Sequence, residues 1–204
     1  GASVTAAAMD KKMNELAVVI PEIKNFTREQ TLRYISEGMA LANYRFDRYK
    51  NSDTKGEKPV EKIVFISSSK NAQSIIHRTE IITRNTFLCR DMINDTSDSI
   101  NPVSFAESAA AISKKSGLKC TVLNREKIES KKMGLLLAVN RGSLIEPRVV
   151  KIEYRGDVEN PKVIGVIGKG ITFDSGGMNL KPSGSMETMR SDMSGAATVL
   201  CVMK

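Results

Sequence analysis

The sequence is poor in the residues that most often carry catalysis, with one histidine, no tryptophan and three cysteines among 204 residues. A single histidine, His77, excludes most metal sites and catalytic triads that are built on imidazole. Cys89, Cys120 and Cys201 are far apart and never form a Cys-x-x-Cys pair, which argues against a disulfide framework or a thiolate zinc site. Any catalysis must therefore use carboxylates, lysines or a metal that they hold.

Long apolar stretches are also absent. No apolar run reaches the length of about 18 residues that a membrane-spanning helix needs, and the first residues lack the basic and then apolar segments of a signal peptide. We therefore expect no membrane partner and a cytoplasmic location. The apolar fraction of 41% is close to that of globular proteins, so we expect the chain to fold.

Basic residues outnumber acidic ones, with 31 Lys and Arg against 23 Asp and Glu and a formal charge of +8. A basic excess is one reason to consider nucleic-acid binding. The lysine pairs, however, are scattered at Lys11-Lys12, Lys114-Lys115 and Lys131-Lys132. This spacing favours a solvated surface over a nucleic-acid interface.

The first third of the chain alternates strand and helix signals. Residues 16–20 are typical of a strand, and Thr27 followed by Gln30 predicts a helix that begins with a capping box. A polar loop over 51–59 precedes a second predicted strand over 60–66.

A long helical pattern follows over residues 72–94. It leads us to predict a partial N-terminal α/β domain over 1–72, a connecting helix over 73–95 and a second domain over 96–204. Asn101-Pro102 predicts the start of the next helix, and Gly117 fits its C-terminal cap.

Four apolar runs in the second half predict strands. They cover residues 121–123, 135–139, 149–154 and 163–167. Nearly continuous aliphatic runs are typical of strands covered on both faces. We therefore expect an α/β fold whose second domain holds a mixed sheet sandwiched by helices.

The stretch from Gly165 to Cys201 combines glycine, serine and charge directly after the last predicted strand. The glycine spacings do not fit known nucleotide loops: Phe173 stands where a dinucleotide motif needs its third glycine, and Val163 stands where a Walker A loop needs its first. A serine nucleophile elbow at Ser175 also fails, because it requires glycine at position 173.

Two lysines and two aspartates then remain as the chemistry-bearing residues of this stretch: Lys169, Asp174, Lys181 and Asp192. Carboxylate oxygens are ligands that hard divalent cations prefer, and two carboxylates can flank or bridge a metal pair. A lysine can join them only as the neutral amine, so the metal must displace its proton. A solvated cluster of charges is the alternative interpretation.

These residues lie in three motifs, namely K-G-I-T-F-D-S-G-G over 169–177, L-K-P over 180–182 and D-M-S-G-A-A over 192–197. Together they closely resemble the leucyl aminopeptidase (cytosol aminopeptidase, M17) family. Flanking pieces over 90–94, 102–109 and 133–139 also resemble that family, so the similarity extends over roughly residues 76–204.

The resemblance implies a metal-dependent aminopeptidase that releases N-terminal residues, leucine-type, from peptides by water activated on two divalent metals. The metals would be zinc, manganese or magnesium, a bicarbonate would serve as base, and the protein would form a homo-hexamer. By the same resemblance, Lys169 and Asp192 ligate one metal and Asp174 bridges both. Lys181 would be the catalytic lysine, and Asp174, Asn179, Lys181 and Asp192 would contact the peptide substrate.

The family's other signature, N-T-D-A-E-G-R, is absent from the sequence. In the family it supplies further metal ligands and an arginine for the bicarbonate. We therefore expect the chain to be a fragment that lacks half of the site and is inactive alone. The alternative is a family member that has lost catalysis and serves as a structural or assembly subunit.

Overall fold

The computed structural model describes residues 1–51, 55–56 and 58–204. They form the following helices and strands: α1 Ala2–Asp10, β1 Glu15–Val19, α2 Arg28–Ala42, β2 Lys62–Ile66, α3 Ala72–Asn94, α4 Pro102–Lys115, β3 Lys119–Leu123, α5 Arg125–Ser130, α6 Gly134–Asn140, β4 Val149–Glu153, α7 Ser183–Met186, a 3-10 helix Met189–Ser191 and α8 Ser194–Met203. The alternation of helices and strands confirms the α/β class.

The chain separates into two compact units, Gly1–Phe87 and Leu88–Lys204. In the first unit, β1 and β2 pair in parallel with Leu16 opposite Ile63. The predicted capping box is present, because Thr27 Oγ1 accepts a hydrogen bond from the Gln30 amide at 3.1 Å and Gln30 Oε1 accepts one from the Thr27 amide at 2.9 Å. Residues 52–54 and 57 of the predicted loop lie outside the described residues. The predicted domains 1–72 and 96–204, with their connecting helix 73–95, stay a prediction.

In the second unit, the antiparallel pair β3 and β4 packs with α4. Asn101 caps α4 as predicted, since its Oδ1 accepts hydrogen bonds from two amides of the first turn at 3.0 Å. Gly117 follows the helix with a φ of 67°, the left-handed conformation in which glycine is favoured. The core of this unit consists of Met92, Ala109, Met193, Ala197 and Leu200. Burial of residues 193, 197 and 200 fixes α8, and with it the segment that contains Asp192.

Two of the four predicted strands are confirmed as β3 and β4, whereas the strand predicted over 135–139 is wrong. That run lies in helix α6, because leucine and alanine are strong helix formers. Its burial was also overestimated, since Leu135 is 88% and Val139 is 67% exposed.

The run over 163–167 forms neither strand nor helix. Its side chains at Val163, Ile164 and Ile167 are 75%, 91% and 97% exposed. A covered central strand needs ladder partners at both edges, and within the described residues this run pairs with no other strand. The sheets of the described chain are therefore two pairs of strands, β1–β2 and β3–β4.

Candidate functional site

Lys169 and Asp192 form the first of two ion pairs among the predicted site residues. Lys169 Nζ donates a hydrogen bond to Asp192 Oδ1 at 2.8 Å. The Lys169 side chain is 61% exposed, whereas that of Asp192 is only 17% exposed. Asp192 directly follows the 3-10 helix Met189–Ser191 and precedes the buried Met193. The carboxylate is thus held by a packed segment, and the lysine reaches it from a loop.

The second carboxylate oxygen of Asp192 has an unusual environment. Asp192 Oδ2 is buried and has no hydrogen-bond partner among the described residues. Leaving a charged oxygen buried without a partner is unfavourable. An oxygen of this kind beside an amine nitrogen suits a divalent cation, so the residues present fit part of a metal site. The described residues contain no cluster of three or more His, Cys, Asp and Glu side chains, so these donors alone do not complete one.

Asp174 and Lys181 form the second ion pair. Lys181 Nζ lies 3.3 Å from Asp174 Oδ2, and the Gly176 amide donates a hydrogen bond to Asp174 Oδ1 at 2.9 Å. The Lys181 amide donates to the Ser175 carbonyl oxygen at 2.9 Å and closes the turn. This turn requires glycine, because Gly176 has a φ of 89° and a Cβ there would lie 2.3 Å from the Asn179 carbonyl oxygen.

The pKa of Asp174 is lowered from its ordinary value of 3.8. The main cause is the hydrogen bond from the Gly176 amide, followed by the hydrogen bond and charge of Lys181. The charge of Lys169 lowers the same pKa. The structure therefore brings all four predicted residues into one neighbourhood, in which Asp174 is held ionised.

A close backbone contact fixes the position of Lys169. The Ala196 amide donates a hydrogen bond to the Lys169 carbonyl oxygen at 2.8 Å. A Cβ on Gly168 would lie 2.3 Å from the Gly195 carbonyl oxygen, and one on Gly195 would lie 2.7 Å from the Lys169 nitrogen. Both positions thus require glycine. This packing role joins two segments of the chain and is not visible in the glycine spacing of the sequence.

Asn179, the fifth predicted residue, is exposed in the same loop. Its carbonyl oxygen packs against Gly176, as described above. The structure thus places Asn179 beside the Asp174–Lys181 turn, and its contact with substrate stays a prediction.

Two parts of the sequence match a known family. Residues 87–204 match the catalytic domain of the cytosol aminopeptidase family, Peptidase_M17, and residues 1–53 match its N-terminal domain. The chain belongs to the cytosol aminopeptidase family. All four residues of the two ion pairs lie inside the matched catalytic domain.

Relatives of this chain include two bacterial proteins named "Probable cytosol aminopeptidase". The protein from Protochlamydia amoebophila is 36% identical over 97% of the chain, which covers 40% of that relative. The protein from Aquifex aeolicus is 36% identical over 95% of the chain, which covers 38% of it. The chain therefore spans about two fifths of the length of the curated relatives it matches.

A solved structure has the same fold. The bottromycin maturation enzyme BotP in complex with Mn superposes with a TM-score of 0.81 at 28% sequence identity, covering 99% of the chain and 43% of BotP. Within the described residues of the chain, no helix has the length and apolar character to cross a membrane.

Proposed function

We propose that this cytosol aminopeptidase chain carries half of a metal-dependent site that releases N-terminal residues, leucine among them, from peptides. The observation that carries the proposal is the Asp192 carboxylate, whose buried Oδ2 has no partner among the described residues while Oδ1 binds Lys169. Family membership and the manganese bound by BotP support the same proposal.

Lys169, Asp174 and Asp192 are the residues that would hold two divalent metals. Lys169 and Asp192 would bind one metal together, and Asp174 would bridge both. When bound, such a pair acts as a Lewis acid and lowers the pKa of a water molecule. Lys169 must give up its ammonium proton for its nitrogen to become a ligand.

Lys181 is the proposed catalytic residue. Its ammonium would stabilise the negative charge that develops on the oxygen of the scissile carbonyl. In the structure the Lys181 side chain is 30% exposed, and its Nζ lies 3.3 Å from Asp174 Oδ2. Asp174 in turn is oriented by the Gly176 amide. Substrate contacts by Asp174, Asn179, Lys181 and Asp192 belong to the proposal.

Four further details belong to the proposal. They are the identity of the metals, which is zinc, manganese or magnesium, the bicarbonate, the hexamer and the cytoplasmic location. These details rest on the resemblance to the family, and manganese also rests on the Mn complex of BotP.

A pair of substrates tests the proposed activity. We expect the full-length protein to hydrolyse leucine amide when Mn²⁺ is added, and to leave N-acetyl-leucine amide intact because its blocked amine cannot bind as a free N-terminus. Absence of metal-dependent hydrolysis of leucine amide would instead support a structural or assembly role.

A further inference from the structure

Ser97 connects the end of one helix to the loop that carries Asp174. It lies between α3 and α4, and its Oγ donates a hydrogen bond to the Thr172 carbonyl oxygen at 3.1 Å. Thr172 is two residues before Asp174, and Ser97 is partly buried. A side chain remote in sequence thus holds the backbone next to a proposed metal ligand.

The turn that carries Ser97 is itself fastened by hydrogen bonds. The Thr96 amide donates to Asp95 Oδ1 at 2.8 Å, and the Ile100 amide donates to the Thr96 carbonyl oxygen at 2.9 Å. The Ser104 hydroxyl of α4 donates to the Ser99 carbonyl oxygen at 2.6 Å. Ser97 therefore lies in a turn that is held by hydrogen bonds on both sides of it.

On the other side of Asp174, the chain contains two glycines in the left-handed conformation. Gly176 and Gly177 have φ angles of 89° and 68°, and glycine restricts its backbone less than any other residue. The Gly176 amide that orients Asp174 thus belongs to a turn that glycine adopts readily and that the Lys181 amide closes. On the preceding side of Asp174, the backbone is held at Thr172 by the hydrogen bond from Ser97.

We propose that Ser97 is a positioning residue for Asp174. It holds Thr172 so that the Asp174 carboxylate remains between the Gly176 amide and the Lys181 ammonium before any metal binds. Ser97 touches neither metal nor substrate in this proposal. The inference deepens the proposed function, and only its metal readout rests on that function.

Two measurements on the full-length protein test the proposal with Ser97→Ala, which removes the hydroxyl, and Ser97→Thr, which keeps it. The first measurement is hydrogen exchange of the metal-free protein over residues 170–182, which include the amides of Gly176 and Lys181. We expect exchange about fivefold faster in Ser97→Ala, the effect of losing one ordinary hydrogen bond. Exchange in Ser97→Thr should stay near that of wild type.

The second measurement is the Kd for Mn²⁺ by calorimetry. We expect about a tenfold higher Kd in Ser97→Ala, at the lower end of the effect of residues that orient ligands. Ser130→Ala is the matched control, because Ser130 is exposed and its hydroxyl donates only to Lys127 of its own helix. It should change neither quantity.

Exchange over 170–182 that is identical in Ser97→Ala and wild type would overturn the proposal. Exchange that is faster throughout the second unit would also overturn it, because Ser97 would then stabilise the fold rather than the loop. If wild type binds no Mn²⁺, the proposed function fails, whereas faster exchange confined to the loop still supports the role of Ser97.

Discussion

The Lys169 ammonium lies 2.8 Å from one oxygen of Asp192, while the other oxygen of that carboxylate is buried and has no partner among the described residues. Without a metal, the lysine is therefore bound to one of the two carboxylate oxygens with which Asp192 could ligate a cation. A divalent cation that binds both residues must replace the proton between them.

Proton release should accompany metal binding for this reason. We expect the full-length protein to release about one more proton per protein at saturating Mn²⁺ than Lys169→Met does, because methionine has no proton to lose. Calorimetry in buffers of different ionisation enthalpy measures the number. Equal proton release by the two proteins would show that Lys169 remains an ammonium and is not a ligand.

Because the backbones of Gly168 and Gly195 are in close contact, we expect a larger residue at position 195 to lower the free energy of unfolding. Gly195→Ala would place a Cβ 2.7 Å from the Lys169 nitrogen, and such overpacking against backbone lowers the free energy of unfolding by about 1–3 kcal/mol. Gly184→Ala is the control, since a Cβ there meets nothing within 4 Å, and it should change stability by less than about 1 kcal/mol. Urea denaturation monitored by circular dichroism checks both, and similar midpoints for the two variants would contradict the close contact.

The local structure of the chain could be predicted only in part from the sequence. Capping signals are local, so the helix starts at Thr27 and Asn101 were correctly predicted. Three short motifs supplied the candidate site residues, and the structure joins these residues in two ion pairs, Lys169–Asp192 and Lys181–Asp174. The Gly195 contact was missed because it joins backbone atoms of two segments, which no side-chain pattern reveals.

The errors concern apolar runs. Composition alone did not separate helix from strand over 135–139, where leucine and alanine favour the helix. The run over 163–167 has the composition of a buried strand, but a strand also needs hydrogen-bonding partners from other segments. Burial is a property of the tertiary contacts and cannot be deduced from the run itself.

Cys201 should be the least reactive of the three thiols. Its burial, together with the neighbouring Cys89 thiol, raises its pKa from 9.0 to about 12. Since the thiolate is the nucleophile, we expect iodoacetamide at pH 8 to modify the partly exposed Cys120 well before Cys201, as measured by peptide mass spectrometry. In urea the two rates should become similar.

The raised pKa also has a consequence for stability. A neutral thiol is favoured in the folded state, so the contribution of Cys201 is fully present below pH 9.0 and is lost as the pH rises towards about 12. Native-state labelling of Cys201 as fast as that of Cys120 would show that the residue is not buried as described.

Activity after removal and return of the metal shows directly whether hydrolysis depends on a metal held by these residues. The full-length protein is treated with a chelator, Mn²⁺ is added back, and leucine amide hydrolysis is compared in wild type, Asp174→Asn and Lys181→Met. We expect wild type to lose its activity and to recover it when Mn²⁺ is added, whereas Asp174→Asn should not recover. Lys181→Met should bind Mn²⁺ normally but have a kcat lower by about 10²–10³-fold. Full activity of Lys181→Met, or wild-type activity that survives chelation, would show that the proposed metal-dependent site is wrong.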